Sequence, residues 1–359
     1  MKRPPRILFH AINGVGLGHQ RRTALIAAAA RRLGATVFVV SEARRADALD
    51  ELGLPSVRIP LLASVFDREI GPISRRLFRE SVEAFDPDLI VHDTHFLREV
   101  VRELAVSGRR QALVLRFTTA VTLKNLLGGA SAARMAAVIL PYERALLNGL
   151  RLSAALLDRV DQDPRVACTG PVVEPTLVDD ALGARYGLAE PTVLVSAGAG
   201  GKPGADQFYL DAMAAARGLR AHARFLFVLG PYSRLELRTE PGIRVVREEP
   251  ALRALLPSFA AGVLLPGYNA IHEAMAARLP SVVRHAKGLY CEDPGPTLDW
   301  LEARGCVAVA HGRRSLRHRM RDVISDPIRR RRMADAWPIV VPAAEAAANK
   351  LLVAAQEIG

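Results

Sequence analysis

His19 closes the run Gly14-Val15-Gly16-Leu17-Gly18-His19, which follows an apolar strand pattern at 6–12 and precedes an Ala-rich helical pattern at about 23–33. An imidazole titrates near neutrality, and the carboxyl end of a parallel strand opens into a ligand crevice, so a histidine in that place is a candidate general base. The glycines offer backbone amides beside a helix start, where an anion or a close-packed ligand can sit. The run is not a dinucleotide fingerprint. Its third glycine arrives one residue early, and Glu42 is the only acidic candidate at the end of the second strand. The bland alternative is a histidine that only packs or caps.

Two later segments repeat this logic. Ser196-Ala197-Gly198-Ala199-Gly200-Gly201 follows an apolar strand, and its small residues let a phosphate or nucleotide approach the backbone; an ordinary turn is the alternative. Pro266-Gly267-Tyr268-Asn269 also follows an apolar strand and starts a helix. Amides at Tyr268 and Asn269 suit a diphosphate, and Glu273, one turn further in, suits ribose hydroxyls. Here the alternative is a plain helix start with a solvent-facing glutamate. His92, Asp93 and His95 follow another first-half strand, in position either to face a ligand or to make structural hydrogen bonds. The histidine pair resembles part of a metal site, but three such residues are too few, and no metal or other cofactor is expected.

These residues need a scaffold of strand ends. A chain of 359 residues exceeds one ordinary core, so two domains are expected. Half the residues are hydrophobic and only 5% aromatic, which favours Ala-, Val-, Leu- and Ile-rich helices packed on sheets. Strand patterns at 36–41, 56–60, 88–92 and 111–117 alternate with helical ones, such as 43–52, in a first Rossmann-like unit. The three prolines of 161–176 mark a boundary, and the alternation resumes at 192–196, 225–229, 243–246, 261–265 and 281–283. The fold class is therefore α/β, with domains at 1–165 and 166–342. A final helix at about 343–359 follows Pro338 and Pro342 and is placed to pack back on the first domain.

No apolar run approaches the length of a bilayer span, and no signal peptide is evident at the start. Cys168, Cys291 and Cys306 lack the CxxC spacing of zinc or redox sites, which fits a reducing cytoplasm. The net charge of +12 suits nucleic acid, an anionic membrane or an anionic substrate without choosing among them. The basic cluster from Arg313-Arg314 to Arg329–Arg332 reads as surface helix, and no aromatic residues interleave with it to stack bases, so no specific nucleic acid is expected. The apolar stretch 119–140, with Lys124 and Arg134, reads as a buried helix or as a lip toward a membrane at the inner face.

The motifs GVGLGH (14–19), PDLIVHD (87–93), TGPVV (169–173), VLVSAGAGG (193–201) and LLPGYNAIHEAMAARLPSVV (264–283) occur in one order along almost the whole chain. In this the sequence resembles the GT-B glycosyltransferases related to the lipid-linked peptidoglycan N-acetylglucosaminyltransferases. The resemblance implies two Rossmann-like domains with the reaction in the cleft between them. A nucleotide diphosphate sugar, UDP or dTDP favoured, would bind the second domain. A small-molecule or lipid-linked acceptor would bind the first. It further implies metal-independent, inverting transfer, with His19 activating the acceptor hydroxyl and Gly16, Gly18, Asp93 and His95 on the acceptor side. Ser196, Gly198, Gly200, Gly201, Gly267, Tyr268, Asn269 and Glu273 would hold the donor, and Glu292 and Asp293 the sugar. The chain departs from the pattern at Pro294, where relatives carry a glutamine. Competing readings are a nucleotide-sugar epimerase or hydrolase of the same fold, and a non-catalytic nucleotide-sugar or polyanion-binding protein.

Overall fold

The computed structural model describes residues 3–12, 18–42, 45, 47–60, 70–94, 98–116, 134–149, 152–174, 178–188, 190–285, 294–339 and 343–356. Two compact units result. The first comprises Met1–Val173 and Val341–Gly359, and the second Glu174–Val340.

The first unit is built on seven strands: β1 (Arg6–Ala11), β2 (Thr36–Ser41), β3 (Ser56–Arg58), β4 (Leu89–Asp93), β5 (Gln111–Val114), β6 (Met135–Leu140) and β7 (Val166–Cys168). They lie all parallel in the order β3-β2-β1-β4-β5-β6-β7. A parallel sheet is covered on both faces, which explains why its strands read as nearly unbroken apolar runs. On one face Ile7, Phe9, Val39, Leu89, Val91 and Ile139 pack with the alanines of helix Gly18–Arg32 and with Ala347, Ala348 and Leu351 of helix Ala344–Gln356. The small side chains let these two helices lie side by side. On the other face Leu8, Val40 and Ile90 meet Phe78 and Val82 of helix Ile70–Phe85.

The second unit holds six strands: β8 (Thr192–Ser196), β9 (Arg224–Val228), β10 (Ile243–Val246), β11 (Ala261–Leu264), β12 (Ser281–Arg284) and β13 (Val307–Ala310). They are again parallel, in the order β10-β9-β8-β11-β12-β13. One face packs on helices Ala205–Arg217 and Arg313–Ile324 through Phe208, Tyr209, Leu316 and Met320. The other packs on Leu255, Leu256 and helix Tyr268–Ala276.

Four local expectations need correction. The first helix begins at Gly18, not 23, so His19 sits in its first turn rather than in a loop. Residues 135–140, expected within a helix, form buried strand β6, while 117–133 lie outside the described residues. Of the helix expected at 43–52, Asp47–Glu51 are helical among the described residues, while Arg45 and Leu52 are not. Residues 166–168, assigned above to the second domain, pair with β6 as β7, and the chain passes to the second unit after Val173.

Candidate functional site

In each sheet the strand order reverses once, between β1 and β4 and between β8 and β11. Crossovers leave such a reversal point in opposite directions, which opens a crevice at the carboxyl ends of the strands. The sequence motifs fall at these two points.

In the first unit, β4 ends in Asp93, and helix Gly18–Arg32 presents His19, Arg22 and Thr23 to it, three positions that share one helical face. His19 Nδ1 lies 3.0 Å from Asp93 Oδ1. Arg22 donates through Nη2 to Oδ1 and through Nε to Oδ2 at 3.1 Å. The hydroxyls of Thr23 and Thr94 donate to Oδ2 and Oδ1 at 3.1 and 2.7 Å. Thr94 is held at a φ of 68°, a conformation that a β-branched residue rarely adopts, and its N–H is tied to the Val114 carbonyl. All four residues around Asp93 are buried, Arg22 to 1% exposure.

Burial opposes ionisation of Asp93, but the Arg22 charge together with the hydrogen bonds from His19 and Arg22 outweighs it and holds the carboxyl well below the usual carboxylate range. An ionised carboxylate only accepts, so the proton of neutral His19 is assigned to Nδ1 and the lone pair to Nε2. Burial lowers the His19 pKa to about 4; the hydrogen bond and charge of Asp93 oppose that shift, while Arg116 and Arg22 add to it. Nearby Tyr142 is pushed up to about 12 by burial. At neutral pH the site is a neutral imidazole with an open acceptor nitrogen, the state a general base requires.

His92 points to the opposite face of the sheet. Its Nε2 lies 3.0 Å from Gln111 Oε1, and its Nδ1 lies 3.5 Å from His10, which is paired with Glu42 at 2.8 Å. His92 is thus bonded within the fold, whereas Glu42 engages His10 through Oε1 and keeps Oε2 buried without a hydrogen-bond partner. Among the described residues no group of three or more His, Cys, Asp or Glu is arranged to hold a metal ion. Gly16, His95, Glu292 and Asp293 lie outside the described residues, and of the acceptor-side residues only Gly18 and Asp93 are placed.

In the second unit, the loop after β8 and the helix start after β11 meet at the carboxyl end of the sheet. Lys202 donates through Nζ to the Pro266 carbonyl at 2.7 Å, joining the two. Gly267 caps helix Tyr268–Ala276 with no side-chain hydrogen bond, so its first-turn amides carry no side-chain cap. A Cβ at Gly267 would stand 2.7 Å from the Lys202 ammonium, so the glycine is what lets the lysine sit there. Gly200, at a φ of 78°, passes so close to the Leu229 carbonyl and Ser233 that a side chain would overlap them. Buried Tyr209 pins the same loop, accepting from the Ala197 N–H at 2.8 Å and donating to Val228.

The buried Ser196 hydroxyl accepts from the Gly198 N–H at 3.1 Å. Tyr268 is buried with its ring tilted against that of His272, whose Nδ1–H donates to the Tyr268 carbonyl at 2.7 Å. Asn269 Oδ1 is buried without a hydrogen-bond partner. Glu273 is half-buried one turn into the helix. Sequence reasoning missed Arg22, Thr23 and Thr94 around Asp93, and Lys202 between the loops. The usable signals were the i, i+3, i+4 spacing of His19, Arg22 and Thr23, and a lysine directly after a glycine pair in a chain with few lysines.

No known protein-family profile and no curated protein matches the sequence. Solved structures do. LpCGTa in complex with UDP superposes with a TM-score of 0.72 at 16% identity, covering 99% of this chain and 100% of that one. The glycosyltransferase SnogD from Streptomyces nogalater gives 0.63 at 19% identity, covering 98% and 99%. The chain has the GT-B fold. A putative UDP-N-acetylglucosamine 2-epimerase from Listeria monocytogenes also resembles it, with a TM-score of 0.70 at 13% identity over 99% and 96% of the two chains. At these identities the likeness concerns the fold, and function must be argued from the two strand-end sites.

Proposed function

We propose that this protein is a glycosyltransferase that moves a sugar from a nucleoside diphosphate, UDP or dTDP favoured, to an acceptor hydroxyl or other nucleophile with inversion. The observation that carries the reading is the carboxyl end of the second sheet, where the helix start at Gly267–Asn269, without a side-chain cap, and the Lys202 ammonium converge beside a glycine loop. Positive helix ends and an ammonium together suit a diphosphate. Glu273 then accepts from ribose hydroxyls. Similarity to a structure holding UDP supports the same assignment.

In the reaction, His19 Nε2 takes the proton of the acceptor hydroxyl while its oxygen bonds to the anomeric carbon. The bond from that carbon to the diphosphate oxygen breaks, and the departing negative charge is met by the helix amides and Lys202. Attack opposite the leaving group inverts the anomeric centre. A lipid-linked acceptor, with contact at a membrane's inner face, is the finer form of this reading and is supported by the sequence resemblance alone. No helix among the described residues is long and apolar enough to cross a membrane.

The test is a thermal-shift panel of UDP, dTDP, GDP and ADP with their common sugar conjugates. A ligand of the native state raises the melting temperature, by about 2.7 kcal/mol of added stability at a hundredfold excess over Kd. A selective shift with one base is expected, and no shift with any of them overturns the reading. The fold shared with the putative epimerase supports a second reading, chemistry on the donor without an acceptor. NMR of the sugar product with and without acceptor separates the two.

A further inference from the structure

We propose that Arg22 is a positioning residue for His19: by fastening both oxygens of Asp93 it fixes which ring nitrogen carries the proton and leaves Nε2 open as the base. A simple histidine–aspartate pair has a drawback in this role. An uncompensated carboxylate stabilises the imidazolium, so the histidine tends to hold a proton before the acceptor arrives. Here the carboxylate charge is already met. Arg22 reaches Oδ1 and Oδ2 from one planar guanidinium, its Nη2 also donates to the Thr94 hydroxyl at 3.0 Å, and that Nη2 stands 3.3 Å from His19 Nδ1. A cation at that distance disfavours a second proton on the ring. The Asp93 oxygens take five donor contacts from four residues, three of them on Oδ1, and the contact from His19 Nδ1 is one of those three.

The placement is specific to arginine. A fully buried arginine is rare unless paired, and only the forked guanidinium can span both carboxylate oxygens. Its position three residues after His19 puts it on the same face of the helix, so one turn of backbone sets both groups against β4. The charged and titratable groups that face His19 among the described residues are Asp93 at the end of β4, Arg22 on its own helix and Arg116 after β5. Tyr142, after β6, feels Arg116, Arg22 and Asp93 and stays protonated. The lowered His19 pKa agrees with this arrangement.

The proposal rests on His19 being the base of the proposed transfer, but its test does not require turnover. Histidine ring signals are followed by NMR against pH in the full-length protein, with His19 assigned by its loss in His19→Gln. In the wild type, His19 is expected as the Nδ1–H tautomer, still neutral at pH 5. In Arg22→Met the midpoint should rise by a unit or more, a tenfold or greater gain in proton affinity, and the tautomer should become mixed. Arg22→Lys keeps a positive charge without the fork and is the variant to read if Arg22→Met does not fold; it should shift in the same direction by less. An unchanged midpoint and tautomer in whichever variant folds overturns the proposal. Once an acceptor is known, the acid limb of kcat/KM should move with the NMR midpoint, a shift that a merely structural arginine would not produce. Failure of the nucleotide panel with these NMR shifts present rejects the transferase reading and leaves the role of Arg22 standing. The reverse pattern rejects Arg22 alone.

Discussion

The two strand-order reversals of this protein are alike in topology and opposite in chemistry. At the first, between β1 and β4, the carboxyl end of the sheet is crowded with side chains that converge on one carboxylate: His19, Arg22, Thr23 and Thr94 around Asp93. At the second, between β8 and β11, the strands run into glycines, Gly198, Gly200 and Gly201 after β8 and Gly267 after β11. Glycines and helix amides form the edge, and one lysine bridges the two loops. A network of several donors on one carboxylate fixes the position and protonation of one group, which is what proton transfer needs. Helix-start amides without a side-chain cap, beside small residues, suit a large anion, which is what donor binding needs. On the proposed reading, the same architecture serves two tasks through what is placed at its strand ends.

The strongest way to break this contrast is His19→Ala. Loss of a positioned base should lower kcat by roughly 10²–10⁴-fold while leaving nucleotide binding near normal, as read by steady-state kinetics and calorimetry. A matching loss of nucleotide affinity would mean that the two edges do not divide the work.

Acid provides the next test, on the order of a few kcal/mol in stability. Burial lowers His19 to about 4, and burial with the charge of His10 lowers His92 to about 3, against an ordinary value of 6.5. Below pH 6.5 the unfolded chain takes up protons that the folded first unit refuses. The stability these two groups contribute is therefore complete above about 6.5 and is lost as pH falls through 6.5 toward 4 and 3. Both tryptophans, Trp300 and Trp337, belong to the second unit. On acid titration, far-UV circular dichroism should accordingly begin to change at higher pH than tryptophan fluorescence. Coincident transitions would contradict the difference between the units.

Lys202→Met sharpens the second edge. Removing a charge-assisted contact of about 1.5–3 kcal/mol should weaken UDP binding by roughly tenfold or more and leave binding of uridine, which lacks phosphates, unchanged in the same titration. The smallest of these effects is expected from Gly267→Ala. Its Cβ would meet the far end of a flexible lysine, so Lys202 would shift and UDP affinity fall by about threefold, roughly 0.65 kcal/mol.

Much of this was legible in the sequence, for physical reasons. Parallel strands buried on both faces read as apolar runs, and the glycine loops at 198–201 and 267–269 mark strand ends where backbone must come close to something. Strand β6 was not legible, because the Ala-rich apolar pattern around it cannot be told from a helix by periodicity. Strand β7 has only three residues, too few for any pattern. The first turn of helix Gly18–Arg32 was hidden because His19, Gln20 and Arg22 are polar yet buried, the reverse of the usual signal. Arg22 was invisible for the same reason: an arginine in a sequence suggests surface, and only Asp93, 71 positions away along the chain, makes its burial tolerable. Lys202 gains meaning only through the Pro266 carbonyl, a contact between distant loops.

The division of labour between the two edges is tested most directly by measuring the UDP dissociation constant of wild type, His19→Ala and Glu273→Ala side by side. The account predicts that His19→Ala stays within about twofold of wild type, while Glu273→Ala binds roughly tenfold more weakly through the loss of about 1.4 kcal/mol. Equal weakening in both variants, or weakening in His19→Ala alone, would contradict it.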